Sequence, residues 1–264
     1  MPNYSATLNV MIKAARKAAR SLLKDFGEVE HLQAATKSPG DFVSKADLRA
    51  EKIIREELEQ ARPYYGWVGE ESEEVIGKDP TRRWIVDPLD GTSNFLHGIP
   101  HWAISIALEH KKEVVIGVIY DPIKDECYVA EKGNGAWLNE KRLRVSGREN
   151  MLEMLFATGI PFANKAGLSS TLQEINHLMP KCSGLRRNGA AALDLAYVAA
   201  GRLDGYWERG LNSWDIAAGI LIVRESGGLV ESLERDIDPI SNGSIIAASN
   251  KVFNELSDII LRSD

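Results

Sequence analysis

The order in which apolar periodicity changes along the chain restricts its fold more than any other feature. Residues 5–26 and 44–62 carry apolar side chains at helical spacing, with a polar loop around 37–41 between them. Then the period shortens. Residues 103–109, 114–120 and 127–131 are apolar runs joined by polar turns at 110–113 and 121–125, which predicts a strand meander. Later segments are mixed, with strands near 155–158, 203–207 and 245–248 and helices near 190–200, 214–226 and 251–261. Helices and strands thus come in blocks, as in an α+β chain. No internal repeat or low-complexity tract interrupts the 264 residues, which suffice for one domain over 1–264 or for two lobes, about 1–150 and about 151–264.

Composition excludes several classes. With 44% hydrophobic and 27% charged residues the chain is an ordinary globular sequence able to bury a large core. A net charge of -6 gives no general attraction for nucleic acid, and a site for an anionic substrate in such a chain must recruit cations. No uninterrupted apolar run approaches the roughly 20 residues that span a bilayer, and residues 1–9 lack a leader pattern, so a cytoplasmic protein is expected. Cys127 and Cys182 are far apart, have no nearby histidine motif, and read as ordinary reduced residues.

The local chemistry concentrates on four acids. In WIVDPLDGTSNF, Trp84, Ile85 and Val86 form an apolar strand predicted to end at Asp87, with Pro88 making Asp87-Pro88 a turn rather than further strand. Asp90 returns toward the same side. Gly91 permits positive φ or close backbone approach, and Thr92 or Ser93 can cap a short helix through Phe95 and Leu96, whose free amides would face an anion. Magnesium is a hard cation that takes oxygen ligands and keeps some of its water, so two carboxylates three residues apart, with the Leu89 carbonyl between them, suit a two-ion clamp. The plain alternative is that Asp87 and Asp90 are turn residues. Glu70 follows a strand-like stretch from Tyr64 to Gly69 but opens an acidic cluster with Glu71, Glu73 and Glu74, which alone reads as a solvated loop. Asp215 precedes an apolar helical run and alone reads as a helix cap. The joint occurrence of all four favours a metal site beside a phosphate cradle.

GEES, DPLDGTSNF and WDIAAG, in this order and at these separations, resemble the inositol monophosphatase family of magnesium-dependent, lithium-sensitive phosphatases. The similarity runs from the DFVSKAD segment at 41–47 through the GLRRNGAAALDLAYVAAGRLDGYWERGLNSWDIAAG stretch at 184–219, and that last stretch most resembles the bacterial inositol monophosphatases. It implies a layered αβαβα sandwich of the sugar-phosphatase type. It also implies that Glu70, Asp87, the Leu89 carbonyl, Asp90 and Asp215 hold two or three Mg2+ ions, and that Gly91 and Thr92 present amides to the phosphate. Thr92 and Asp47 would orient the attacking water alongside Glu70. Lys37 matches a lysine near the outer metal, although its spacing is one residue shorter than in some relatives, and Lys45 stands where many relatives have a small or polar residue. Substrate contacts would come from Leu89, Asp90, Gly91, Thr92, Gly189, Ala190, Ala191, Glu208 and Asp215, with Glu208 accepting hydrogen bonds from inositol hydroxyls. Without the resemblance, the 189–191 segment equally suits tight helix packing and Glu208 reads as a surface strand residue. The implied metal and phosphate half is about 1–150 and the substrate half about 151–264.

The implied reaction is hydrolysis of myo-inositol monophosphate by direct water attack, with sugar bisphosphate, 3'-phosphonucleotide and histidinol phosphate as alternative substrates. A homodimer is the implied assembly. A reading of another class rests on Lys13, Arg16, Lys17, Arg20 and Lys24, a basic helical stripe that suits RNA, a partner or plain solvent, and the resemblance to bacterial members implies a role in a ribosomal RNA transcription complex beside it.

Overall fold

The computed structural model describes residues 4–34, 39–161, 167–234 and 236–261. Helices α1 (Ala6–Ala34) and α2 (Pro39–Ala61) open the chain. A seven-stranded sheet follows: β1 (Tyr65–Gly69), β2 (Asp79–Asp90), β3 (Ala103–His110), β4 (Glu113–Asp121), β5 (Glu126–Glu131), β6 (Gly135–Leu138) and β7 (Lys141–Arg142), neighbours in that order. The short helix α3 (Thr92–Leu96) interrupts it after β2. The second half contains β8 (Leu155–Thr158), α4 (Leu168–Leu178), β9 (Gly184–Arg186), α5 (Ala191–Ala199), β10 (Gly205–Glu208), α6 (Ser213–Glu225), β11 (Gly228–Glu231), α7 (Pro239–Asn242), β12 (Ile245–Ser249) and α8 (Phe253–Leu261). Its five strands make a second sheet in the order β11, β12, β10, β8, β9.

The layers follow from side-chain alternation. Along β2 and β3, Trp84, Val86, Ile104, Ile106 and Leu108 point to one core, shared with the Ala14, Ala18 and Leu22 face of α1 and the Ala50, Ile54 and Leu58 face of α2. Ile85, Ala103 and Ala107 point the other way, into a core built by α5 and α6 and closed by Ala157, Tyr206 and Ala247 of the second sheet. Phe156, Trp207, Ile246 and Ala248 form the outer face of that sheet and pack with Leu178, Leu256 and Ile260 of α4 and α8. Both sheets are therefore buried on both faces, and the order of layers is αβαβα.

The expected meander is present: β2 to β7 pair antiparallel, and only β1 pairs parallel within this sheet. Several boundaries differ from the sequence reading. The loop expected around 37–41 is helical from Pro39 onward, and α1 continues to Ala34; residues 35–38, with Lys37, lie outside the described residues. Strand β2 does not end at Asp87. It continues to Asp90 through a bulge, because Asp87 pairs with Ser105 and Asp90 with Ala103, three steps on one strand against two on the other. Pro88 is tolerated because the bulge lifts it out of the regular ladder. Strand β10 starts at Gly205 rather than 203; β6, β7, β9 and β11 are too short to show a period, and α4, with Leu168, Leu172, Ile175 and Leu178 at helical spacing, adds a helix to the expected set. The basic stripe is a solvated face whose Lys13 and Lys17 both pair with Glu57 of α2, at 2.7 and 2.6 Å, while Arg16 lies over the Tyr120 ring.

Candidate metal and phosphate site

The β2 bulge turns Asp87 and Asp90 to the same side, although an ordinary strand would put residues three apart on opposite faces. Asp87 Oδ1 accepts from the Leu89 amide at 2.9 Å, and the Leu89 carbonyl accepts from the Thr92 hydroxyl at 3.1 Å, closing the turn from within. The cap of α3 is Gly91 in the left-handed region (φ 94), with no side-chain cap, so neither Thr92 nor Ser93 plays the capping part expected of it. A Cβ at Gly91 would stand 3.0 Å from the His101 carbonyl and 3.3 Å from Ala190 Cβ; glycine is what lets this turn approach the second half of the chain. Asn94 of α3 secures that approach, donating to the carbonyls of His101 (2.8 Å) and Asn188 (2.9 Å).

Across the gap, Asp90 Oδ2 accepts from the Ala192 amide in the first turn of α5 at 2.7 Å. Asp215 stands at the third position of α6, where its carboxylate takes the Asn212 amide at 2.6 Å in a capping box. Its cap role and its place in the site therefore coexist. Glu70 follows β1, with its amide bonded to the Val86 carbonyl; its carboxylate opens to solvent on one side and meets Asp87 on the other. Glu208 ends β10, takes the Tyr206 hydroxyl, and lies over Gly159, where a Cβ would fall 1.8 Å from the Glu208 carboxyl carbon.

These side chains share one cavity of about 720 Å³. Glu70, Asp87, Leu89, Asp90, Gly91 and Thr92 form one wall; Gly189, Ala190, Ala191, Glu208 and Asp215 form the opposite one. Asp47 does not line it. This residue of α2 is buried behind Glu70 with Glu51 and Glu71, and its Oδ1 has no hydrogen-bond partner. The cavity also receives Gly159, Arg187, Arg209, Asn212 and Glu234, which sequence reading passed over. Arg209 adjoins Glu208 and Asn212 is the partner of Asp215, so adjacency alone pointed to them.

Electrostatically the site is strained. Burial, then Glu70, Asp90 and Asp215, push Asp87 well above the usual carboxylate range; burial and then Asp215 do the same to Asp90, against the Ala192 hydrogen bond. Burial raises Glu70 to about 7, opposed by its hydrogen bond to Asp87 and reinforced by Asp215. Asp47 is pushed up to about 9 by burial and by Glu71 and Glu70. The strongest charges acting on Asp87 are other carboxylates, so the cluster holds its protons tightly until a cation takes their place. An all-oxygen donor set of this kind fits a hard divalent cation. Among the described residues no trio of His, Cys, Asp or Glu is drawn into a ready-made cage. The thiols do not compete as nucleophiles: both are free, and burial pushes Cys127 up to about 12.

The two-sheet sandwich with this carboxylate cavity defines a sugar-phosphatase-like layered α+β protein. The family model described as inositol monophosphatase family matches residues 3–261, and the chain belongs to the inositol monophosphatase family, phosphoric monoester hydrolases. It is 52% identical to the inositol-1-monophosphatase of Rhizobium meliloti (strain 1021), over 98% of this chain and 97% of that relative. It is 40% identical to the Nus factor SuhB of Escherichia coli (strain K12), over 97% of this chain and 98% of the other. The crystal structure of the extragenic suppressor protein suhB from Bartonella henselae superposes with a TM-score of 0.90 at 53% identity, over 97% of this chain and 98% of that chain.

Proposed function

We propose that the protein hydrolyses inositol monophosphate to inositol and phosphate in a Mg2+-dependent, lithium-sensitive reaction. The observation that carries this reading is the bulge of β2, which sets Asp87, the Leu89 carbonyl and Asp90 on the same cavity wall as Glu70, facing Asp215. These five groups would hold two or three Mg2+ ions. Bound there, the metal lowers the pKa of a water and neutralises charge on the phosphoryl oxygens. The remaining work belongs to the chain. The Gly91 and Thr92 amides orient the phosphate, and Glu70 receives the proton of the attacking water, which the Thr92 hydroxyl helps to orient, with Asp47 behind them. No residue has to form a covalent phosphoenzyme. Gly189, Ala190 and Ala191 leave room for a ring, and Glu208 accepts from its hydroxyls.

A substrate panel in Mg2+, repeated with millimolar lithium, tests the proposal. Inositol 1-phosphate is expected to be the preferred substrate and lithium to inhibit; a strong preference for a sugar bisphosphate, a 3'-phosphonucleotide or histidinol phosphate would overturn it. Binding to a transcription complex is the second reading, prompted by relatives named Nus factor SuhB. The basic face does not favour it, because Lys13 and Lys17 are engaged with Glu57. We place the enzyme in the cytoplasm as a homodimer.

A further inference from the structure

Glu174 is a carboxylate with no exposed surface, placed among the apolar side chains of the outer layer. It lies on the inward face of α4, one turn from Thr171 and Leu178, and both its oxygens are engaged. Oε2 accepts from the Trp207 indole at 2.7 Å, and Oε1 accepts from the Arg209 guanidinium. Trp207 and Arg209 are the residues on either side of Glu208. A buried ion pair contributes little net stability compared with apolar packing of the same volume, whereas it fixes geometry well. Here the geometry fixed is the end of β10. The Trp207 carbonyl is held a second time, by the Thr158 hydroxyl at 2.7 Å, and strand alternation then delivers Glu208 to the opposite face, into the cavity, where the Tyr206 hydroxyl meets it.

We propose that Glu174 is a positioning residue for substrate selection, gripping Trp207 and Arg209 so that the Glu208 carboxylate stands where a polyol ring presents its hydroxyls. The proposal rests on the reading of Glu208 given above. Glu174 does not line the cavity and touches no substrate; it acts through the strand. It therefore bears on polyol binding and not on Asp87, Leu89 and Asp90, which belong to the other sheet.

The test compares the full-length protein with Glu174→Gln, Glu208→Gln and the double variant in Mg2+, using inositol 1-phosphate and p-nitrophenyl phosphate, which has no ring hydroxyl. For Glu174→Gln the ratio of kcat/KM between the two substrates is expected to fall about tenfold, mainly through KM for the inositol ester. Turnover of p-nitrophenyl phosphate should be unchanged. The double variant should lose no more selectivity than Glu208→Gln alone, because one residue works through the other. A folded Glu174→Gln protein that keeps the parental ratio, while Glu208→Gln loses it, overturns the positioning role alone. If Glu208→Gln also keeps the ratio, the assignment of Glu208 to the hydroxyls fails, and this proposal with it. Should Glu174→Gln not fold, Trp207→Phe releases one of the two grips without removing a side chain that lines the cavity and is judged by the same ratio: a fall of similar size supports the proposal and an unchanged ratio overturns it.

Discussion

Asp90 joins the two halves of the cavity: its backbone closes the β2 bulge and its carboxylate takes the Ala192 amide of α5. Asn in its place can still accept that hydrogen bond, so Asp90→Asn removes charge while leaving the helix start satisfied. We expect phosphatase activity to drop by at least about a hundredfold with an unchanged circular dichroism spectrum; normal turnover would remove Asp90 from the metal set. Gly159 is a second sensitive position. A methyl group there collides with the end of the Glu208 side chain, which can swing away, so Gly159→Ala should fold normally. Its KM for inositol 1-phosphate should rise about tenfold as Glu208 is displaced, and an unaltered KM would argue against a role for Glu208. The acids themselves were legible in the sequence as strand-end, loop and cap residues. The Ala192 amide that Asp90 takes and the Gly159 backbone that makes room for Glu208 were not, since neither residue offers side-chain chemistry to read.

At the scale of elements, the site depends on how closely α6 approaches the first sheet. Gly117 of β4 makes that approach possible: a Cβ would stand 2.9 Å from the Ala218 carbonyl and 3.1 Å from its Cα. Backbone cannot swing aside as a side chain does. Gly117→Ala should therefore push α6 outward, costing about 1–3 kcal/mol in denaturant unfolding, and should lower activity because the first turn of α6 carries Asp215. A stable variant with full activity would show that α6 has slack. The long helices could be read from periodicity because each buries one face against a core, and the meander because its strands, buried on both faces, are apolar runs bounded by polar turns. Strands β6, β7, β9 and β11 are two to four residues long, too short for a period to establish itself, and the bulge in β2 was hidden because Pro88 ordinarily ends a strand.

For the whole molecule, the carboxylate cluster links stability to pH and, if it holds the proposed Mg2+, to metal. Glu70 at about 7, Asp47 at about 9, and Asp87 and Asp90 well above their ordinary range all bind protons more tightly in the folded state than in the unfolded chain. Their contribution is fully present below the unfolded carboxylate pKa and is lost as pH rises through the folded values, because the unfolded chain has already released those protons. With EDTA, Tm should fall between about pH 6 and pH 9. Added Mg2+ should restore it, and the increase should be larger at the alkaline end; a metal-induced shift independent of pH would contradict the carboxylate origin of the effect. By itself, the sequence determined the long helices, the meander and the family, because apolar periods and short acidic motifs are local properties of the chain. Tertiary structure alone decided that Asp87 and Asp90 share a face, that Asp90 receives α5, and that Glu174 grips both neighbours of Glu208. Each of those arrangements depends on a bulge, a backbone amide or a contact between residues far apart in sequence, none of which leaves a pattern along the chain.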